Sequence, residues 1–271
     1  MHLKTSMQGD IHDHRSLVNA IKQVDVVISA VGHRSSYTPM QDQVKIVAAI
    51  KEAGNIKRFI PSEFGMDVDR VDGAVEPAKS LFETKSKFRR VVQEEGIPYT
   101  IVCANYFARS CLPSFYLPTF EASPKDRLLI LGDGNVKGVF NLEEDIGAYT
   151  IKAVDDPRTL NKISYIRPSS NMYSFNDIVS LWETKIGRSV DRIYLHDQQI
   201  LENIQEATDR LTKLILAVGY SAFVKGDHTN YEIQASSGVE ASALYPHVKY
   251  TTVEELLDHS IQTLYQETQL S

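Results

Sequence analysis

Apolar strands and amphipathic helices alternate along the first half of the chain. Segment 24–29 (Val-Asp-Val-Val-Ile-Ser) is rich in β-branched residues and ends in a small one, which is typical of a buried parallel strand. Segment 43–50 then places apolar residues at helical spacing. Further strands are predicted at 57–61 and 99–103, and a long helix over about 77–95 separates them. Such alternation with short connections predicts a parallel sheet covered by helices on both faces.

The second half of the chain is less regular. Apolar runs at 128–131 and 137–140 flank Gly-Asp-Gly-Asn at 132–135, and this pattern predicts a β-hairpin. Helical patterns follow at 143–154, 174–186 and about 252–266. We therefore predict an α/β protein with a Rossmann-type, doubly wound parallel sheet, whose second half supplies the end of the sheet and a smaller lobe that covers the substrate.

Small residues follow the strand at 24–29, at the sheet edge where doubly wound folds bind ligands. Ser29, Val31 and Gly32 lie in this segment, and small residues let a cofactor pass close to the backbone. A tight turn between strand and helix would show the same pattern. Both interpretations stay open on the sequence alone.

The segment Pro-Ser-Glu-Phe-Gly at 61–65 follows the next predicted strand. Ser62 is able to hydrogen-bond a ligand, and Phe64 would supply an apolar wall. The alternative is a structured turn that Glu63 stabilises. The position at the sheet edge favours a ligand-binding role for this segment.

Asn105 and Phe107 follow the strand at 99–103. Asn105 would be able to fix the amide of a cofactor, and Phe107 to stack on a ring. A loop that is anchored by aromatic packing explains the same residues equally well, so neither interpretation is preferred.

Three lysines on the long helix are candidates for acid–base chemistry. Lysines on such a helix are usually solvated, but a lysine that is directed into a cleft has a pKa closer to neutrality and can transfer protons. Pattern alone does not select Lys85 over Lys79 or Lys87.

A glycine-rich turn that would hold the phosphates of a dinucleotide is absent from the sequence. In this fold, Gly-x-x-Gly-x-x-Gly follows the first strand, whereas the candidate first strand at 2–7 leads into a segment with the single glycine Gly9. No early arginine stands at the spacing expected for binding a 2′-phosphate. We therefore expect a fold that is entered at its third strand and lacks its first βαβ unit.

Composition excludes several classes of function. The 271 residues carry a formal net charge of −6, which argues against nucleic acid as a partner. The eight histidines show no paired metal-ligand spacing, no metal site is predicted, and Cys103 and Cys111 are expected to be reduced thiols. No apolar run has the length of a signal peptide or a membrane span, so we expect a soluble, cytoplasmic protein without a membrane partner.

Several segments together resemble the plant isoflavone reductase-like family, and most of all its phenylcoumaran benzylic ether reductase branch. These are NmrA-like, atypical short-chain dehydrogenases, and the resemblance covers almost the whole chain. The segments that carry it are 24–29, 51–59, 61–65, 96–100, 131–135, 155–162 and 244–251.

The resemblance implies a function and a site. It implies an NADPH-dependent oxidoreductase that reduces phenylpropanoid-derived compounds of the phenylcoumaran or isoflavone type, with Lys85 as the catalytic proton-transfer residue. It also implies an incomplete NAD(P)-binding domain at 1–152 and a substrate-binding lobe at 153–271, interleaved with the end of the sheet. The residues that match the cofactor cleft of the family are Ser29, Val31, Gly32, Pro61, Ser62, Phe64, Asn105 and Phe107.

The resemblance also bears on the partners of the chain. We expect the partner to be a small-molecule phenolic substrate, and we expect the chain to form a homodimer. The alternative function is that of a non-catalytic NmrA-like protein that binds a dinucleotide or another ligand, a role that would not require Lys85.

Overall fold

A computed structural model of the chain describes residues 8–32, 38–111 and 127–269. The described strands are β1 (Val26–Ile28), β2 (Arg58–Ile60), β3 (Thr100–Cys103), β4 (Tyr106–Phe107), β5 (Arg127–Leu131), β6 (Lys137–Asn141), β7 (Lys162–Tyr165), β8 (Met172–Ser174), β9 (Asp191–Leu195) and β10 (Gly238–Glu240). The described α-helices are α1 (His14–Ile21), α2 (Thr38–Ala53), α3 (Ala78–Glu94), α4 (Ala108–Cys111), α5 (Glu143–Val154), α6 (Phe175–Ile186), α7 (Asp197–Glu206), α8 (Arg210–Phe223), α9 (Ala241–Leu244) and α10 (Val253–Gln269).

Five parallel strands form the central sheet, in the order β1–β2–β3–β7–β10. β1 pairs with β2, a bridge between Phe59 and Tyr99 joins β2 to the start of β3, and β7 pairs with both β3 and β10. The prediction of an α/β fold with a parallel sheet is confirmed. The candidate first strand at 2–7 lies outside the described residues, and the absence of a first βαβ unit stays a prediction.

Helices cover both faces of this sheet. Neighbouring residues of a strand point to opposite faces, and in β2 Phe59 packs against α1, α2 and α3 whereas Ile60 packs against α5 and α9. Burying one such side chain contributes roughly 1.5–3 kcal/mol to folding. The sheet is therefore doubly wound, and its strand ends are held between two apolar layers.

The predicted hairpin at 132–135 is wrong. A turn is present, with positive φ at Gly132 (68°) and Gly134 (74°), but β5 pairs in parallel with β9, and β6 pairs with β8 and β4. The start of α6 binds the turn instead, because Asn176 donates from its backbone nitrogen to Gly134 O (3.0 Å) and from Nδ2 to Asp133 O (3.0 Å). The turn thus contacts α6, while β5 and β6 pair with other strands.

The second half adds a helical lobe that the hydrophobic pattern predicted only in part. α6 begins at the predicted position with a capping box, in which Ser174 Oγ accepts from Asp177 N (3.1 Å) and Asp177 Oδ2 accepts from Ser174 N (3.0 Å). α7 and α8 were not predicted. Among the described residues, no helix is both long enough and apolar enough to span a membrane.

Two strands from the second half of the chain, β7 and β10, complete the central sheet. The sheet is therefore built from both halves, and α3 contributes residues both to the apolar cluster that it shares with α1 and α2 and to the cluster that it shares with α6 and α8. The boundary between 152 and 153 stays a prediction.

Candidate functional site

Three loops meet where β1, β2 and β3 end. Ser62 Oγ, after β2, donates to Val31 O, after β1, at 2.8 Å. Asn105 N, after β3, donates to Gly65 O, after β2, at 3.0 Å. The residues that the sequence predicted for a cofactor cleft are thus brought to one edge of the sheet.

The loop after β1 offers an open approach to the backbone. The Ser29 hydroxyl is buried and has no hydrogen-bond partner among the described residues. A Cβ added to Gly32 would have no neighbouring atom within 4 Å. This loop therefore combines an unsatisfied buried polar atom with free space, which suits a bound polar ligand.

A buried glutamine, which the sequence pattern did not single out, holds the loop after β2 by a hydrogen bond. Gln43, on α2, is fully buried, and its Oε1 accepts from Ser62 N at 2.9 Å. Pro61 is buried beside this contact. The backbone at Phe64 has a positive φ of 32°, which is unfavourable for a residue with a side chain. The hydrogen bonds of the loop after β2 hold the backbone in this strained conformation.

Asn105 and Phe107 are engaged inside the protein. Asn105 also has a positive φ (59°), and its Nδ2 donates to Ile166 O at 3.1 Å. Phe107, like Phe64, packs against the apolar cluster that includes Ile146 and Tyr149 of α5. The observed contacts agree with the anchored-loop interpretation, and contact with a cofactor stays a prediction for these residues.

Lys85 is the lysine of the three candidates that faces the site. It lies on α3 between Phe82 and Phe88, is 6% exposed, and its Nζ donates to Glu63 O at 2.6 Å. Lys79 is exposed, and the side chain of Lys87 is 80% exposed. Burial therefore separates Lys85 from its neighbours, which the sequence alone did not.

Burial lowers the pKa of the Lys85 ammonium. The main cause is desolvation, the positive charge of Arg89 acts in the same direction, and the Glu63 carboxylate opposes both. A lysine with a lowered pKa has a larger neutral fraction near pH 7, and only the neutral amine can accept a proton. This position therefore suits Lys85 for proton transfer.

A buried charge network lies beside Lys85. Arg89, one helical turn further along α3, is 2% exposed and donates to Glu63 Oε2 from Nη2 (2.8 Å) and Nε (3.2 Å). Its Nη1 donates to Asp67 Oδ1 (2.5 Å), and Tyr165 donates its hydroxyl proton to Asp67 Oδ2 (2.6 Å). The network fixes the loop after β2 against α3 and β7. The sequence also allowed a structured turn that Glu63 stabilises, and the contact between the Glu63 carboxylate and Arg89 agrees with that interpretation.

The polar segment 226–231 forms a hydrogen-bonded loop. Thr229 Oγ1 donates to Lys137 O at 2.9 Å, and the guanidinium of Arg167 donates to Thr229 O (3.0 Å) and Tyr231 O (3.1 Å). Burial, together with the charge of Arg167, lowers the pKa of His228 to about 3. His228 is therefore neutral near pH 7.

Two other kinds of chemistry find little support at this edge. Burial raises the pKa of the Cys103 thiol to about 12, so it is not a thiolate near neutral pH. In the part of the chain that the structure describes, no group of three or more histidine, cysteine, aspartate or glutamate side chains is arranged so that it could hold a metal ion.

Comparisons with known proteins give the family. The model of the NmrA-like family matches residues 5–257. Phenylcoumaran benzylic ether reductase Pyrc5 of Pyrus communis is 62% identical over 253 residues, which cover 93% of this chain and 80% of the relative. Eugenol synthase 2 of Clarkia breweri is 60% identical over 256 residues, which cover 94% and 81%.

Solved structures agree with these relatives. The crystal structure of isoflavone reductase matches with a TM-score of 0.85 and 47% identity, and the match covers 93% of this chain and 80% of that one. The structure of AtPrR2 with NADP+ and (+)-pinoresinol matches with a TM-score of 0.84 and 38% identity, over 92% and 79%. The chain therefore belongs to the NmrA-like family and, within it, to the isoflavone reductase-like group that its sequence motifs resemble.

Proposed function

We propose that this chain is an NADPH-dependent reductase of phenylpropanoid-derived phenolic compounds of the phenylcoumaran or isoflavone type, with Lys85 as the proton-transfer residue. The observation that carries the proposal is the buried Lys85 amine beside the loops that follow β1, β2 and β3. Relatives at about 60% identity are a phenylcoumaran benzylic ether reductase and a eugenol synthase, and a solved neighbour holds NADP+ and a phenolic lignan.

The residues at this edge fit the nicotinamide end of the cofactor. The Ser29 hydroxyl, which has no hydrogen-bond partner among the described residues, would provide a polar contact, and the open space at Gly32 would allow a close backbone approach. When bound, NADPH supplies the hydride. The residues that would line its cleft are Ser29, Val31, Gly32, Pro61, Ser62, Phe64, Asn105 and Phe107.

Lys85 would take the proton of a phenolic hydroxyl group. A phenol has a pKa near 10 and keeps its proton near pH 7, and the neutral amine is the form of Lys85 that is able to accept that proton. In a phenylcoumaran, the phenolate would expel the oxygen of the benzylic ether and become a quinone methide, whose benzylic carbon accepts the hydride. The expelled oxygen would take a proton from the Lys85 ammonium, and the phenolate regenerated by hydride transfer would take one from water, so that one C–O bond is broken and one C–H bond is formed. The bond from Nζ to Glu63 O fixes the direction from which the amine meets the substrate.

Replacing Lys85 by methionine tests this role. Methionine keeps the length and apolar stem but removes the proton acceptor, so we expect kcat to fall by roughly 100-fold or more. The measurement is NADPH oxidation with a phenylcoumaran or an isoflavone, and Lys87→Met on the exposed face of α3 is the matched control.

The two functions give different results in this experiment. A folded Lys85→Met variant with full activity would rule out the assigned role. A wild-type chain that binds NADPH without oxidising it with any phenolic compound would support the alternative of a non-catalytic binding protein. The expected homodimer and the cytoplasmic location are separate proposals, which sedimentation of the purified chain and imaging of a tagged chain would test.

A further inference from the structure

The network beside Lys85 contains a charge that the proposed reaction does not use directly. Lys85 Nζ is held by the backbone carbonyl of Glu63, while the side chain of the same residue turns to Arg89. Glu63 is 4% exposed, and its Oε1 is buried without a hydrogen-bond partner among the described residues. One residue thus positions the amine through its backbone and places a buried negative charge near it.

We infer that Glu63 is a positioning residue whose carboxylate, held by Arg89, controls the protonation of the Lys85 amine. The inference rests on the proposed function, because it matters for turnover only if Lys85 transfers the proton. The Glu63 carboxylate is turned to Arg89, and it acts on the reaction through Lys85.

The titratable groups that face Lys85 come from three elements. Glu63 lies in the loop after β2, Arg89 on α3, and Cys103 at the end of β3. Glu63 favours the protonated amine and Arg89 opposes it, while Cys103 is a neutral thiol near pH 7. Removing the first two charges separately should therefore move the titration of Lys85 in opposite directions.

The geometry of the network keeps these two charges in place. Arg89 donates hydrogen bonds to Glu63 Oε2 from two nitrogens and to Asp67 Oδ1 from a third. Asp67 in turn accepts from Tyr165 on β7. Because Arg89, Glu63 and Asp67 are buried, their charges are poorly screened by water or salt.

Glu63→Gln is the variant that separates charge from shape. The glutamine oxygen is able to replace Oε2 as acceptor for Arg89, while its amide nitrogen would occupy the place of the partnerless Oε1. Neutral Lys85 would then persist to lower pH. On the acid limb of the pH profile, kcat is expressed as a fraction of the plateau value of the same protein. At the same pH, we expect this fraction to be about tenfold larger for Glu63→Gln than for the wild type.

Arg89→Met tests the opposite sign and serves if Glu63→Gln does not fold. We expect its acid limb to move to higher pH. Glu83→Gln is the matched control, since this carboxylate lies on the exposed side of α3 and pairs with Lys87 at 3.7 Å. Its profile should coincide with that of the wild type. Thermal unfolding of each variant shows whether it is folded under the conditions of the titration.

A second readout needs neither cofactor nor substrate. The Nζ and Cε resonances of labelled lysine are followed by NMR during a pH titration, and Lys85→Met assigns the Lys85 signal. We expect the Lys85 midpoint to fall in Glu63→Gln and rise in Arg89→Met. An unchanged midpoint in either folded variant, or a shift of both in one direction, would overturn the inference. Activity retained by Lys85→Met would instead overturn the proposed function.

Discussion

The imidazole of His228 lies among apolar rings, with Tyr106 and Phe223 at centroid distances of 5.2 and 5.8 Å. Its Nδ1 accepts from Val139 N at 3.5 Å, so the proton of the neutral ring is on Nε2. Burial lowers its pKa from 6.5 to about 3. The folded protein therefore keeps this histidine neutral at a pH where the unfolded chain protonates it.

This residue predicts a loss of stability in acid. Between pH 6.5 and about 3 the unfolded state binds the proton that the folded state does not, so the free energy of unfolding rises with pH in this window. We expect His228 to account for a loss of about 2 kcal/mol between pH 7 and pH 5. Urea unfolding at the two pH values, for wild type and His228→Asn, measures the difference.

The exposed His247 provides the control for that experiment. His247→Asn should lose as much stability as the wild type over the same pH interval, whereas His228→Asn should lose about 2 kcal/mol less. Equal losses in all three proteins would show that His228 is not the group that titrates.

Residue roles were only partly predictable from the sequence. Lys85 and Arg89 lie four positions apart on the face of α3 that also carries Leu81 and Phe88, whereas Lys87 lies on the opposite face. The 3.6-residue period thus contained a signal for a buried lysine. The partner Glu63 is 22 positions away from Lys85, and only the closure of the sheet brings the two together.

At the scale of elements, packing between β6 and α8 predicts a steric effect. A Cβ on Gly138 would lie 2.5 Å from Phe223 Cε1, so Gly138→Ala must displace a ring in the lobe core. We expect this change to destabilise the protein by about 1–3 kcal/mol. Urea unfolding gives the value.

Gly147 is the matched position, because it lies in α5 and an added Cβ would have no neighbour within 4 Å. Alanine is the better helix former, so Gly147→Ala should stabilise the protein by roughly 0.5–1 kcal/mol. If both alanine variants changed stability by the same amount, the close packing at Gly138 would not be the cause.

Elements with strong periodicity were predicted well, and pairing partners were not. The pattern of apolar residues located β1, β2, β3 and α3 within two residues of their observed ends. The hairpin failed because a turn signal fixes the local backbone but not the partner of each strand. The pairing of β5 with β9 joins segments about 60 residues apart, which no local pattern specifies.

At the scale of the whole molecule, the two halves of the chain share one sheet. β7 and β10 come from the second half, and α3 contributes residues both to the apolar cluster that it shares with α1 and α2 and to the cluster that it shares with α6 and α8. Lys85 lies at this junction, between residues that belong to different clusters. A substrate bound at the sheet edge would therefore contact the Lys85 amine where the two halves of the chain meet.

The most direct test of reduction through Lys85 is NADPH oxidation by the purified chain in the presence of a phenylcoumaran, with the reduced product quantified by mass spectrometry. We predict that one NADPH is consumed for each product molecule, and that Lys85→Met abolishes both while its thermal transition is retained. A folded wild-type chain that consumes no NADPH with any phenylcoumaran or isoflavone would contradict this prediction, because the buried lysine and the loops around it would then serve no reduction.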